Sequence, residues 1–471
     1  MTNNSITDKV ARLLKSAVLP ALFLAQGAAA LEPPPQGYAS RSASRSINPK
    51  LGINSEAADP ALVANLYARV FPSKGARAVS RGRGLPAKGA PRMLVLLIDF
   101  DDYPARAGDT VEHMSDLIFG AGGKFPYESL SAYYRRSSRG GLEIRGDVLG
   151  WYRAGLRSEI HPTREGRDAL VRRALEARPG HDYSQYDNNG DGVIDYLAVI
   201  WTGPTGDWAT FWWGCATRFA DASFSADGVR PGSYSWQPLL SLAQAADAEF
   251  SPRVLIHETG HSLGLPDYYD YQPGVGPDGG LGYFDMMDAN RYDHNCFSKI
   301  MLGWVEPKVV TFDGEFSLAA AADNGDCVVA IPAGKPAEFF GEFYIVEKRA
   351  RGGNDARMSF PGGIVVWHVD ARLNERSGGF LYNNQTTGHK LIKFMEADGL
   401  EELEAGARKD VTAEDFFFPG GSFGAGSGPS ALLYGGGESG VAMFFSGGGP
   451  QDSVALKYAP QPVIGRAEGG R

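Results

Sequence analysis

The apolar run from Met93 to Phe100, broken only by Asp99 and bounded by Pro91 and Asp101-Asp102, is too short for a buried helix. It does not alternate, and this predicts a strand covered on both faces. Val111, Met114, Leu117 and Ile118 recur at spacings of three and four, which predicts a helix with one apolar stripe. Ser129 to Ser138 predicts a second helix ended by Gly140-Gly141. Leu142 to Trp151 predicts a strand pair, Asp168 to Ala177 an amphipathic helix, and Ile194 to Trp201 another buried strand. Beyond Pro307 the pattern changes to short alternating segments separated by Gly, Asp and Asn, as in a β-rich unit. The fold class expected is α+β. Ahead of Met93 lie a short apolar run, Ala17 to Ala25, and a helical patch at Leu62, Val63, Leu66, Tyr67 and Val70. No run past residue 30 approaches the ~18 apolar residues of a membrane span, so none is expected in the mature protein.

Composition divides this pattern into regions. The chain has 471 residues, 43% of them hydrophobic, enough for a sizeable core and long for one domain. Lys9, Arg12 and Lys15 precede the first apolar run, and Ala28-Ala29-Ala30 follows it. That order marks residues 1–30 as a secretory signal peptide and predicts a secreted product, extracellular or periplasmic. Residues 31–90 carry nine Lys/Arg against three Asp/Glu, while the whole chain has a net charge of −9. A basic leader before an acidic body suits a propeptide or a linker. Residues 91–305 are expected to form a catalytic domain and 306–471 a β-rich C-terminal domain. Three cysteines, Cys215, Cys296 and Cys327, are too few for a disulfide scaffold. An oxidising compartment would permit one pair, and Cys215 with Cys296 is the pairing favoured.

Chemistry concentrates in His257-Glu258-Thr259-Gly260-His261-Ser262-Leu263-Gly264-Leu265-Pro266-Asp267, which reads HExxHxxGxxD. On a helix His257 and His261 share one face a turn apart, so both imidazoles can reach one metal ion. Glu258 follows the first ligand closely enough to act as general base on a metal-activated water without itself ligating. Gly264 can take the left-handed conformation that ends a helix, Pro266 cannot continue one, and the turn presents Asp267 as third ligand. No Glu occurs between Glu258 and Glu306, so a zinc site completed by a downstream glutamate is disfavoured. Asp270 is the other acid nearby. Three protein ligands leave a fourth position for water, as in catalytic zinc sites.

Downstream, Gly282-Tyr283-Phe284-Asp285-Met286-Met287-Asp288 offers a turn that could set a thioether beneath the ligands. With the ligand run it resembles the metzincin metallopeptidases, specifically the immune inhibitor A family, whose third ligand is Asp. SxxxYYxxSxxGG at Ser129–Gly141, Gly150-Trp151-Tyr152, Ser298–Trp304, Phe343–Arg349, Gly362–Asp370 and Glu396–Gly399 fit the family in order. The resemblance implies a metzincin-like catalytic domain with a twisted mixed sheet and an active-site helix, zinc on His257, His261 and Asp267, Glu258 as base, and Met287 as the turn methionine. Trp201-Thr202-Gly203 stands where the family often has a histidine, so no accessory role is carried over there.

Asp187-Asn188-Asn189-Gly190-Asp191-Gly192-Val193-Ile194-Asp195 places side-chain oxygens of Asp187, Asn189, Asp191 and Asp195 at positions 1, 3, 5 and 9 of an EF-hand-type loop, with Gly at 6. Position 12 is Ala198, so calcium bound there would need a further ligand. The family carries such a loop before a strand. His368, Asp370, Glu396, Asp398 and Asp415 form either a second ion site or a salt-bridge network, and Trp208, Trp212 and Trp213 either line a cleft or pack in the core. Tyr283 and Tyr292 are merely near the site, and neither is assigned to the oxyanion. The function expected is a monomeric zinc-dependent endopeptidase with protein or peptide substrates and no nucleic-acid partner. The alternatives are a catalytically silent surface-binding protein of the same fold and a zinc hydrolase of cell-wall peptides.

Overall fold

The computed structural model describes residues 46–51, 53–54, 58–70, 84–121, 129–240, 250–270, 280–374, 378–384, 388–424, 426, 428–448 and 451–459. The expected signal peptide lies outside them. The leader contributes a two-stranded hairpin, β1 (Ser46–Asn48) and β2 (Ile53–Asn54), and a helix, α1 (Pro60–Val70), which covers the expected helical patch. Proline at its first position lacks only an N–H that the helix would leave unpaired anyway. Val63 and Leu66 are each 1% exposed.

The central sheet of the first half runs β4-β3-β5-β7-β6. It comprises β3 (Arg92–Asp99), β4 (Arg145–Arg153), β5 (Val193–Trp201), β6 (Cys215–Arg218) and β7 (Arg230–Pro238). β4, β3, β5 and β7 are parallel and β6 closes the edge antiparallel, so the sheet is mixed. Both faces of β3 are covered, as its non-alternating apolar run requires. Met93, Val95 and Leu97 enter one core cluster, and Leu94, Leu96 and Ile98 enter another. Helices α2 (Val111–Phe119) and α3 (Leu130–Ser137) pack with the first cluster, and α4 (Arg164–Glu176) with the second. One expectation is corrected here. Leu142 to Trp151 gives a single strand parallel to β3, preceded by an isolated Gly89–Leu142 bridge, because β3 offers this segment a partner that spares it a hairpin.

The helix α5 (Arg253–Ser262) lies on the first face, followed by the short α6 (Met286–Ala289) and α7 (Cys296–Met301). Beyond residue 306 come β8 (Lys308–Val310), β9 (Gly314–Ala319), a short α8 (Ala321–Asn324), β10 (Cys327–Ala330), β11 (Glu342–Ala350), β12 (Gly362–Asp370), β13 (Ile392–Met395), β14 (Ser422–Phe423), β15 (Val441–Gly447) and β16 (Gln451–Tyr458). They form a sheet ordered β13-β12-β11-β10-β8 and a four-stranded sheet β14-β15-β16-β9. β12 is buried at all nine positions because its two faces have different partners. Ile364 and Val366 meet the four-stranded sheet, whereas Val365, Trp367 and Val369 join the cluster that holds Leu255 and Met287.

The cysteine expectation is also corrected. All three thiols are free and buried, but Cys215 sits in the cluster on the far face of the central sheet from Cys296. Cys296 instead shares its core cluster with Cys327. Pairing follows which face of a sheet each residue meets, and sequence separation does not encode that.

Candidate metal centre

Helix α5 carries His257, Glu258, Thr259 and Gly260 fully buried. Its carboxyl end closes as a Schellman turn. Leu265 N–H reaches the Gly260 carbonyl at 3.0 Å and Gly264 N–H the His261 carbonyl at 2.9 Å, with Gly264 at φ +100°. This turn needs a residue tolerant of positive φ, and it sends the chain back past Pro266 so that Asp267 faces the helix it has just left. The leader covers the turn. Asp59 N–H bonds the Gly264 carbonyl at 2.9 Å, and a Cβ at residue 264 would lie 3.0 Å from that of Leu62.

His257 Nε2 lies 3.1 Å and His261 Nε2 3.3 Å from Asp267 Oδ1. The imidazoles are 4.7 Å apart and nearly perpendicular, and one ligand atom of each residue falls within 4.8 Å of the others. His257 Nδ1 donates to the Met286 carbonyl at 2.8 Å and His261 Nδ1 to the Leu265 carbonyl at 2.9 Å. Protons held on Nδ1 leave both Nε2 lone pairs aimed at one point, the usual support of a metal-ligating histidine. Asp267 Oδ2 is buried with no hydrogen-bond partner among the described residues, at a position where a cation would compensate it. Burial holds His257 below its ordinary pKa, although Asp267 opposes the shift. For Asp267 burial acts upward, but His261 and then His257 outweigh it, and its carboxyl stays below the usual range. Neutral imidazole and ionised carboxylate are the forms that bind a metal. The donor set of two nitrogens and one oxygen therefore fits zinc. Asp270 does not join this cluster among the described residues.

Met287 is fully buried against α5. A Cβ at Gly260 would come within 2.4 Å of its sulfur, so glycine in the middle of the ligand helix is what admits the methionine. Asp285 caps α6 by accepting from Met287 N–H, and it also accepts from Asn295 N–H, both at 2.7 Å. Asp288 accepts from Tyr283 N–H at 2.7 Å and Leu281 N–H at 3.1 Å. Burial raises these two carboxyls to about 7 and about 8. Tyr134 steadies the ligand helix by donating to the Ile256 carbonyl at 2.6 Å. The sequence reading missed Gly260, Asp285 and Asp288, although an Asp directly before a short helix is a readable cap signal. It also missed His294, which is fully buried beside Tyr133, Tyr134 and Trp304 and whose pKa burial lowers to about 3.

The carboxylates of Asp187, Asp191 and Asp195 come within 4.8 Å of one another. Asn189 Nδ2 donates to Asp195 Oδ1 at 2.8 Å, and Asp187 accepts from the N–H groups of Gly190, Asp191 and Gly192. Asn188 ties the loop to β3 through both the N–H and the carbonyl of Arg92. Burial first, then repulsion from Asp191 and Asp187, raises Asp195 to about 6. Ala198, at position 12, is buried within β5. In the C-terminal half Arg408 bonds Asp415 twice at 2.6 Å and reaches Glu396 at 3.2 Å, so that acidic group is already neutralised by a guanidinium. Trp212 and Trp213 belong to the aromatic packing: Trp212 lies 4.9 Å from Trp201 and 4.0 Å from the Arg157 guanidinium, and Trp213 is 3% exposed. That cluster is on the sheet face away from α5.

No family model matches the chain. It is 30% identical over 261 residues to the pre-pro-metalloprotease PrtV of Vibrio cholerae serotype O1 (strain M66-2), covering 44% of this chain and 28% of that protein. It is 25% identical over 235 residues to immune inhibitor A of Bacillus thuringiensis subsp. alesti, covering 38% of this chain and 33% of that one. The chain thus spans about a third or less of the length of these relatives. The likeness supports a metalloprotease at the general level, and no helix among the described residues is long and apolar enough to cross a membrane.

Proposed function

We propose that the chain is a secreted zinc-dependent endopeptidase with a metzincin-like catalytic part. Zinc would be held by His257, His261 and Asp267, and calcium would stiffen the Asp187–Asp195 loop. The observation that carries the reading is the convergence of two Nδ1-anchored imidazoles on one ionised, buried carboxylate. Zinc at that point would supply a Lewis acid that makes water more acidic and polarises a peptide carbonyl. Glu258, carried by the ligand helix one residue after His257, takes the proton from the attacking water and returns it to the leaving amine. The Met286 and Leu265 carbonyls keep both imidazoles in the tautomer that ligates. Residues 1–30 as export signal, the leader as propeptide and a monomeric state belong to the same proposal. A silent binding protein of this fold is disfavoured because base and ligands are all present.

Glu258→Gln should retain stoichiometric zinc and its melting temperature while casein cleavage falls ~10²–10⁴-fold or more. Asp267→Ala should lose zinc together with activity, and excess zinc should restore part of it in that variant alone. Elemental analysis beside a casein digestion decides the matter. A parent that binds zinc and cuts no unfolded protein or peptide defeats the peptidase reading, and a Glu258→Gln variant cutting at the parental rate defeats the assignment of the base.

A further inference from the structure

Cys296 opens α7 directly after the turn that holds Met287, and Cys327 opens β10 of the first C-terminal sheet. Thirty-one positions separate them in the chain, yet both meet at Glu347 on β11. Cys327 is the cross-strand partner of Glu347, so their side chains leave the sheet on the same face. Cys296 N–H donates to Glu347 Oε2 at 3.1 Å. The two side chains are 0% and 1% exposed and lie within one core cluster. The third thiol, Cys215, is on the other face of the central sheet beside Arg167.

From this juxtaposition we infer that Cys296 and Cys327 are a covalent modification site, a disulfide that clips the helix behind the metal centre to the C-terminal sheet, with Cys215 remaining a thiol. The inference rests on the proposal of export, which would bring the chain to an oxidising compartment. Each thiol gives up a proton and an electron as the sulfur–sulfur bond forms. The electrons and protons pass to a small-molecule or protein disulfide, which is reduced to two thiols. Burial, followed by the Cys327 contact, raises the Cys296 thiol well above its ordinary pKa, so the finished core disfavours the attacking thiolate. Exchange therefore belongs to folding, before α7 closes over β10.

The full chain, unfolded in denaturant with reductant, is refolded in a reduced and oxidised glutathione couple, unfolded again without reductant and alkylated. The expected result is one alkyl group per chain, on Cys215, and a peptide containing Cys296 joined to Cys327 that separates on reduction. Cys215→Ser should form the same bridge, and Cys327→Ser should show two alkylated thiols. Three alkylated thiols in the parent, or a bridge that includes Cys215, overturns the inference. If the bridge forms in glutathione but protein recovered from its native host carries three thiols, the pairing stands and the export proposal fails.

Discussion

Glycine at position 260 sets two effects against each other. In a helix interior, alanine is favoured over glycine by about 1 kcal/mol. A Cβ at residue 260 would, however, lie 2.4 Å from the Met287 sulfur, and overfilling a packed core costs roughly 1–3 kcal/mol. The steric term should win in the parent, so Gly260→Ala is expected to melt lower and to bind zinc more weakly as Met287 is pushed aside. With Met287→Ala in place the obstruction is gone, and the same glycine change should then raise the melting temperature relative to Met287→Ala alone. Calorimetry of the four proteins in this cycle decides it; a Gly260→Ala variant as stable as the parent would show that the methionine does not rest on this glycine.

The loop ahead of β5 joins charge to stability. Asp195 sits at about 6 in the folded protein because it is buried near Asp191 and Asp187, against about 3.9 in an unfolded chain. The folded state therefore holds the proton more tightly, so without calcium this group's contribution to stability falls as pH rises from about 4 to about 6 and is level above that. Calcium would compete with that proton. Its affinity should be full near pH 7.5 and decline towards tenfold per pH unit below about 6. At hundredfold excess over Kd a bound ion adds about 2.7 kcal/mol, so melting should rise with calcium at pH 7.5, rise about half as much at pH 5, and not respond in Asp191→Ala. Equal calcium responses at both pH values, or in parent and variant, would remove the loop as an ion site.

At the scale of the whole molecule, the two halves are joined by a buried charge network behind the candidate metal centre. Arg349 on β11 grips Asp355 with two bonds of 2.7 Å and donates to the Asp293 carbonyl at 3.2 Å. Asp293 is paired with Lys299 on α7, and Trp367 donates to Glu347 at 2.8 Å. Arg349→Ala strands the Asp355 carboxylate in the interior, where breaking a buried pair costs roughly 3–5 kcal/mol. The parent should melt in one transition, and the variant in one lower transition whether followed by tryptophan fluorescence or by loss of zinc. Two separate transitions in the parent would mean that the halves do not support each other. The leader is tied in as well, with Arg69 donating to the Ile300 and Met301 carbonyls at 2.7 and 2.8 Å, where it caps α7. Local information explains what the sequence determined by itself. The periods of β3, β5, α4 and α5, the four-residue step from His257 to His261, and the Gly264 turn that returns Asp267 all act over a few residues, where backbone sterics and helical geometry suffice. Long-range packing decided the rest: the Met286 carbonyl behind His257, the meeting of Cys296 with Cys327 across Glu347, the leader helix on the Gly264 turn, and the face of β12 given to the cluster that holds Met287. Each of these depends on which surface an element finds to bury against, and residue spacing along one strand or helix carries no record of that partner.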